Sequence, residues 1–516
     1  MLRAGALPGR YRVLLLPMNQ ATRPHPDWKA PKGDGEILIW PEPARLLQQT
    51  LENHKRLSAV DHVRIQGVPL CELRRRQRVL VRETDHEPPL IATGHQVELY
   101  HPGVWAKNVL IDAVARRLRG TAHHVAVDTD APKHLVLRLG DTSYPITDDP
   151  RLTAAAWTCL LDAPRHLERL AAAVRQAAAG WGFEPVLLGM VDRWRGAPAT
   201  EGLARFVAWS ASGCDDSVMS YQMVMASQLW GHMPYLVLVH HVLARADEFA
   251  SRYNTALGDY RRAEAIRSPG RPWPDLRNEA DACEAPFWLD WVTEGRRERP
   301  VLRRVPGGWS LVLSNGQRFC FDPGRSGWAA AAELDAFLGG SQVRLAPRAL
   351  MLTLFMRLFL ADQFVHGIGG GRYDQVTDAM IRSFLGLEPP AFCVTTATLH
   401  FPGAAAVRRV DLPAMYREGR RIRHSLPDGR KMEFVRQIEA APRRSAQRRR
   451  AFHAMHEALA TANRQAILAW EQRLAEARSL AEKEKFLFDR ELFFAIQTRQ
   501  RLLELIDKYR QALDNC

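Results

Sequence analysis

The sequence predicts an α/β protein with a parallel-sheet core, a small β-containing insertion and a C-terminal helical region of coiled-coil character. Three observations predict it. Residues 88 to 137 read as strand, Gly/His loop, helix, strand and then acidic residues. Residues 268 to 340 are rich in Pro, Gly and Trp and carry short alternating runs. From Arg443 to Leu513 apolar residues recur at three- and four-residue spacing, the helical period. The expected organisation is a core in two parts, 1–267 and 341–410, split by an insertion at 268–340 and followed by helices at 411–516.

Taken in order, Tyr11 to Leu16 suits a strand, and a polar loop runs to about residue 35. Pro41 and Pro43 mark the entrance of a helix to about Leu57, because proline lacks the donor that a first turn leaves unused. Leu90 to Thr93 is an apolar run fit for a buried strand. It meets Gly94-His95-Gln96 and then Leu99-Tyr100-His101-Pro102-Gly103. A helix follows from about Val104 to Leu118, with Gly120 as its cap. Val125 to Val127 is the next strand and ends in Asp128-Thr129-Asp130. This is a βαβ unit, and in open parallel sheets ligands bind at the carboxyl ends of the strands.

Further along, Tyr235 to Val239 reads as a strand that leads to His240-His241 and a helix through Phe249, Tyr253 and Tyr260. Leu345 to Leu360 is apolar and leads to Phe364-Val365-His366 and a glycine loop, Gly367 to Gly371. A helix from about Gln375 to Leu385 ends near Gly386. Within the insertion, Val301 to Val305, Trp309 to Leu313 and Arg318 to Phe321 read as strands. In the C-terminal region Leu459, Trp470 and Leu474 belong to one helical stripe. Leu492, Ile496, Leu503, Ile506 and Leu513 resume it.

Composition excludes several classes. Hydrophobic residues make up 46% and charged residues 25% of 516, ordinary for a globular chain. No apolar stretch of membrane-spanning length is present, so the expectation is a cytoplasmic protein with no membrane partner. The seven cysteines form no CxxC, which suits free thiols and argues against a cysteine-built zinc site. A net charge of +14, from 71 Lys and Arg against 57 Asp and Glu, favours anionic partners (nucleotides, phosphorylated or carboxylated metabolites, or nucleic acid), or else reflects an arginine-heavy composition throughout. Arg443 to Arg450 is the one dense basic tract, and no zinc finger or RNA-binding signature accompanies it, which argues against nucleic acid.

Several residues are candidates for chemistry. His95 and His101 flank a strand-to-helix turn, where imidazoles can hydrogen-bond phosphate oxygens and the helix N-terminus adds donors. The alternative is a capping histidine and a surface histidine. Lys107, one turn into the helix, points near the same loop. Asp128 and Asp130 end a strand two residues apart, so their side chains share a face and could hold a ribose, an ammonium group or Mg²⁺. Their alternative is a solvated strand end. Gly369 and Gly370 open a helix with Arg372 and Tyr373 just inside, as a phosphate- or carboxylate-binding turn does; a tight turn that needs positive φ is the other reading.

Taken together, these segments resemble one family. Thr93-Gly94-His95-Gln96-Val97-Glu98-Leu99-Tyr100 is similar to the Thr-Gly-Gln-Gln-x-Gly-Leu-Phe loop of the bacillithiol biosynthesis cysteine-adding enzymes (BshC), which are cysteine ligases. Asp128-Thr129-Asp130 is similar to that family's Asp-His-Asp. Gly367 to Asp374 is similar to its Gly-Gly-Pro-Gly-Glu turn, and Gly386 to Pro390 follows as it does there. The resemblance implies a Rossmann-like core and a C-terminal coiled coil that forms a homodimer. It also implies a ligase that joins cysteine to glucosaminyl-malate through an amide bond.

On that basis His95, His101, Asp128 and Asp130 are the expected catalytic residues. Thr93, Gly94, Gln96, Lys107, Gly369, Gly370, Arg372 and Tyr373 would bind substrate or nucleotide. ATP or ADP with Mg²⁺ is the expected cofactor, and no protein-bound metal site is expected. His95 and Glu98 depart from the family's Gln and Gly, which makes the loop more like the histidine loop of nucleotidyl transferases. The rival reading is a nucleotide- or metabolite-binding module whose basic helical tail docks a partner.

Overall fold

The computed structural model describes residues 26–81, 87–140, 142–146, 155–158, 163–194, 218–348, 350–407, 409–426 and 429–516. The expected strand at Tyr11 to Leu16 lies outside them.

The centre is a six-stranded, mostly parallel sheet. Its strands in chain order are β1 (Ile37–Trp40), β2 (Leu90–Gln96), β3 (Thr121–Val127), β4 (Gln222–Met225), β5 (Gln363–His366) and β6 (Cys393–Ala397). They lie in the order β1-β6-β5-β2-β3-β4. Only β1 is antiparallel, pairing with β6. From β2 the chain winds outward to β3 and β4, then returns to place β5 on the other side of β2. The direction of winding therefore reverses between β2 and β5.

Both faces of this sheet are covered, which explains why its strands read as continuous apolar runs rather than alternating ones. Leu90 and Ala92 of β2 face one core, with Tyr235, Phe249 and Phe355. Ile91 faces the other, with Trp105, Ile506 and Tyr509. Successive residues of a strand point to opposite faces, so one short run feeds both cores.

The insertion contains the expected strands at Val301–Val305, Gly308–Val312 and Arg318–Phe321, in a four-stranded antiparallel sheet with Ala282–Glu284. A second small sheet pairs Phe287–Trp291 with Arg296–Glu298 and with Val343–Pro347. The C-terminal helices are Leu412–His424, Arg430–Ala440, Ala446–Ala462, Arg464–Glu484 and Arg499–Asp514. Trp470 seals the contact between the first and fourth: its indole N–H donates to the Met415 carbonyl at 2.9 Å. The last helix rejoins the main core, where the Tyr509 hydroxyl meets Thr395 Oγ1 at 2.7 Å. No described helix is long and apolar enough to cross a membrane.

Four local readings need correction. Tyr235 to Val239 is part of a helix, Met233–Ala244, and so are His240 and His241. All eleven of its residues from Pro234 on are buried and nine of them are apolar, so no period distinguished it from a buried strand. The helix expected from Gln375 begins at Ile368, so the glycines form its first turn and not a loop. Arg119, not Gly120, takes the left-handed cap conformation of the helix Pro102–Leu118, at φ 51°. Gly120 serves a close approach instead, since a Cβ there would sit 2.4 Å from the Pro89 carbonyl oxygen. Finally, β3 ends at Val127, and Asp128 and Asp130 lie in the turn beyond it.

Candidate active site

A cleft of about 1010 Å³ opens at the carboxyl ends of β2, β3 and β5, where the winding reverses. Two helices start there. Pro102–Leu118 follows β2, and Ile368–Leu385 follows β5. Gly371 N–H is the first in the second helix to bond back, to the Gly367 carbonyl at 2.9 Å. The amides of Ile368, Gly369 and Gly370 before it have no acceptor within the helix and stand at the cleft. A helix N-terminus so exposed favours an anion.

The histidine loop forms the facing wall. His101 caps its helix by accepting from the Gly103 N–H at Nδ1, 3.1 Å, and its Nε2 lies 3.2 Å from Glu491. His95 sits on the end of β2 with Nδ1 3.2 Å from the Gln96 carbonyl and 3.3 Å from Glu98. Burial depresses both imidazoles, with the Lys107 cation adding to it for each. His95 falls well below its usual range, and His101, further lowered by Arg490, drops to about 3. At neutral pH both are therefore uncharged hydrogen-bonding groups.

Lys107 is buried and donates to the Gly94 carbonyl at 2.7 Å. Burial lowers its pKa to about 7, against the opposing pull of Glu98. Its charge is therefore poised near neutrality. An arriving phosphate or carboxylate would restore the ammonium form.

Ten of the predicted residues line this one cleft: Gly94, His95, Gln96, His101, Lys107, Asp130, Gly369, Gly370, Arg372 and Tyr373. Gln96 Nε2 donates to Asp130 at 3.3 Å. Arg372 is tied to the Trp28 carbonyl at 2.9 Å. Tyr373 packs edge-on against Trp273, with centroids 5.1 Å apart.

Two predicted residues are elsewhere. Asp128 is 2% exposed and is not among the residues that line the cleft. It accepts from the Ser227 N–H at 2.8 Å and from the Ser227 hydroxyl, pinning β3 to the segment after β4. Burial raises its pKa. The shared face expected of the two aspartates fails because the strand ends before either of them. Thr93 is fully buried, and its hydroxyl donates to the Val365 carbonyl at 2.7 Å, joining β2 to β5.

The sequence did not single out the far wall. Trp288 carries the guanidinium groups of Arg348, Arg297 and Arg299 at 4.9, 5.4 and 5.5 Å from its ring centre. Arg490 reaches in from the C-terminal region and donates to Thr396 Oγ1 at 3.1 Å. Lys107, Lys133, Arg299, Arg348, Arg372 and Arg490 together outnumber Asp130, Asp374 and Glu491 around the cleft. Lys107 and Arg372 belong to the expected site, whereas Lys133, Arg299, Arg348 and Arg490 come from separate segments that no local spacing links to it. Among the described residues, no group of three or more His, Cys, Asp or Glu side chains is placed to hold a metal ion.

The chain matches no protein-family model, and no curated protein matches it in sequence.

Proposed function

We propose that the cleft is the active site of a Rossmann-like, BshC-type ligase that activates a carboxylate with ATP and joins it to an amine. One observation carries the reading. His95, His101 and Lys107 face the amide-rich first turn of Ile368–Leu385 across one basic cleft, at the point where the sheet reverses its winding. The parallel strands run in the order β6-β5-β2-β3-β4, and doubly wound sheets take nucleotides where the winding reverses.

In this reading the phosphates of MgATP, the metal arriving with the nucleotide as substrate, lie between the two helix N-termini. Neutral His95 and His101 flank the phosphates, and the exposed amides of Ile368, Gly369 and Gly370 donate to phosphate oxygens as charge develops there. Lys107 takes up a proton as the anion binds. Arg299 and Arg348 hold the carboxylates of an acidic sugar conjugate, and Asp130 receives its ammonium. Cysteine and a glucosaminyl-malate-like amine are the proposed partners, in the cytoplasm, with the C-terminal helices forming a homodimer.

A thermal-shift screen tests this with ATP, ADP and AMP, each with and without Mg²⁺, and with cysteine and amino-sugar conjugates. Selective binding raises the melting temperature by mass action. The expected result is a shift with an adenine nucleotide that His95→Ala abolishes. A shift with no nucleotide, beside one with nucleic acid or a protein partner, favours the non-catalytic binding module.

A further inference from the structure

We propose that His366 is the general base that takes the proton from the attacking amine, oriented for that task by Asp374; the inference rests on the amide-forming reading above. His366 ends β5, beside β2, and its ring forms part of the cleft wall. Its Nε2 lies 2.9 Å from Asp374 Oδ2. Asp374 is itself buried, at 2% exposure, and paired with the buried guanidinium of Arg357. Burial works against its charge, but Arg357 and then His366 outweigh this and hold the carboxyl at about 2.

An ionised carboxylate can only accept, so Nε2 carries a hydrogen, and in the neutral ring Nδ1 is then the nitrogen with the lone pair. No hydrogen bond to Nδ1 is found among the described residues. His366 and its neighbour Gly370 are both residues of the cleft wall. Gly370 keeps the approach to it open: a Cβ there would lie 2.9 Å from Nδ1. Phe364 and Phe392 fix the ring from two sides, with centroids 4.7 and 5.2 Å away.

The step balances simply. The amine nitrogen attacks the acyl carbon of an acyl adenylate or acyl phosphate, and the C–N bond forms. The C–O bond to phosphorus-bound oxygen breaks, and AMP or phosphate departs with the electron pair. The proton lost by nitrogen passes to His366 Nδ1. Asp374 is a positioning residue: it fixes the tautomer and balances the imidazolium that forms.

The experiment follows ATP-dependent amide formation from cysteine and an amino-sugar conjugate, using the full chain. His366→Ala is expected to lower kcat by about 10²–10⁴-fold, the usual worth of a general base. KM and the ATP-induced thermal shift should stay near wild type, and added imidazole should restore part of the lost rate. Asp374→Asn is expected to lower kcat while His366 stays in place. A His366→Ala variant with wild-type kcat, or one whose loss imidazole does not relieve, overturns the inference and leaves the ligase reading standing. A wild-type chain with neither nucleotide shift nor turnover overturns both. Should the variants fail to fold, ¹⁵N spectra of labelled histidines in the wild-type chain decide: the account requires the hydrogen on Nε2, and a hydrogen on Nδ1 contradicts it.

Discussion

Lys107 Nζ donates to the carbonyl of Gly94 at 2.7 Å, fastening the helix after β2 to the end of that strand. The contact places a buried amine beside the histidine loop. It also means that the fold carries a cation where an apolar side chain would be easier to bury.

Lys107→Met should separate stability from binding. Burial lowers the folded-state pKa from 10.5 to about 7. Between those values the unfolded chain holds more protons, so stability rises with pH across that window, and the deficit is fully present below about 7. The variant should be more stable than wild type at pH 7 by about 1–4 kcal/mol. The advantage should fade toward pH 10, while ATP affinity drops at least about tenfold, a loss of about 1.4 kcal/mol. Calorimetric melting against pH and a nucleotide titration read the two effects separately.

The fold should be acid-labile through its buried histidines. Burial is the leading cause in each case, and it drops His101, His124 and His241 to about 3 and His240 to about 4. Each must gain a proton on unfolding once the pH is below its unfolded value. The stability they permit is complete above about pH 6.5 and is lost as pH falls toward 3. The expected slope is on the order of 1 kcal/mol per pH unit for each histidine. Melting temperature measured from pH 7 to pH 4 checks it; a flat profile contradicts the burial argument.

The two aspartates after β3 should behave differently. Asp128→Ala removes the acceptor for Ser227 and should cost about 1–3 kcal/mol of stability by leaving two half-buried donors unmatched. Asp130→Ala should leave the melting temperature within about a degree or two, since its side chain is 39% exposed. It should instead weaken binding of an amine-bearing substrate. Parallel melting and binding assays on the two variants make the comparison.

Gly103 marks a close approach of the helix Pro102–Leu118 to β6. A Cβ there would meet Thr396 Oγ1 at 2.5 Å, Arg490 at 2.7 Å and the Ala397 carbonyl at 2.9 Å. Gly103→Ala should push the helix outward, costing about 1–3 kcal/mol, and displace His101 with it. A lower melting temperature together with weaker nucleotide binding is the expected pair of outcomes.

Much of this site was legible because its first half is local. Gly94, His95, His101 and Lys107 fall within fourteen consecutive residues of a strand–turn–helix unit, and that unit sets their geometry. The helix Met233–Ala244 was misread because an all-apolar run has no period to measure when it is buried on every side. The glycine turn was misplaced because three consecutive glycines lower helix propensity, while the packing of Gly371 against Val394 and Trp28 overrides it. His366 carried the same signal as His95, a histidine at a strand end beside glycine. Arg357, which pairs with its partner Asp374, comes from a π-helical turn that no pattern announced. The far wall of Trp288, Arg299 and Arg348 depends on a small sheet that pairs Phe287–Trp291 with Val343–Pro347, a long-range contact that spacing cannot encode.

The most direct test of the account is a calorimetric titration of MgATP into the wild-type chain, His95→Ala and Lys107→Met at pH 7. The account predicts saturable binding by wild type at one site, weakened at least about tenfold in both variants. Absence of nucleotide binding to the wild-type chain, or equal affinity in all three, would contradict the placement of the nucleotide in this cleft.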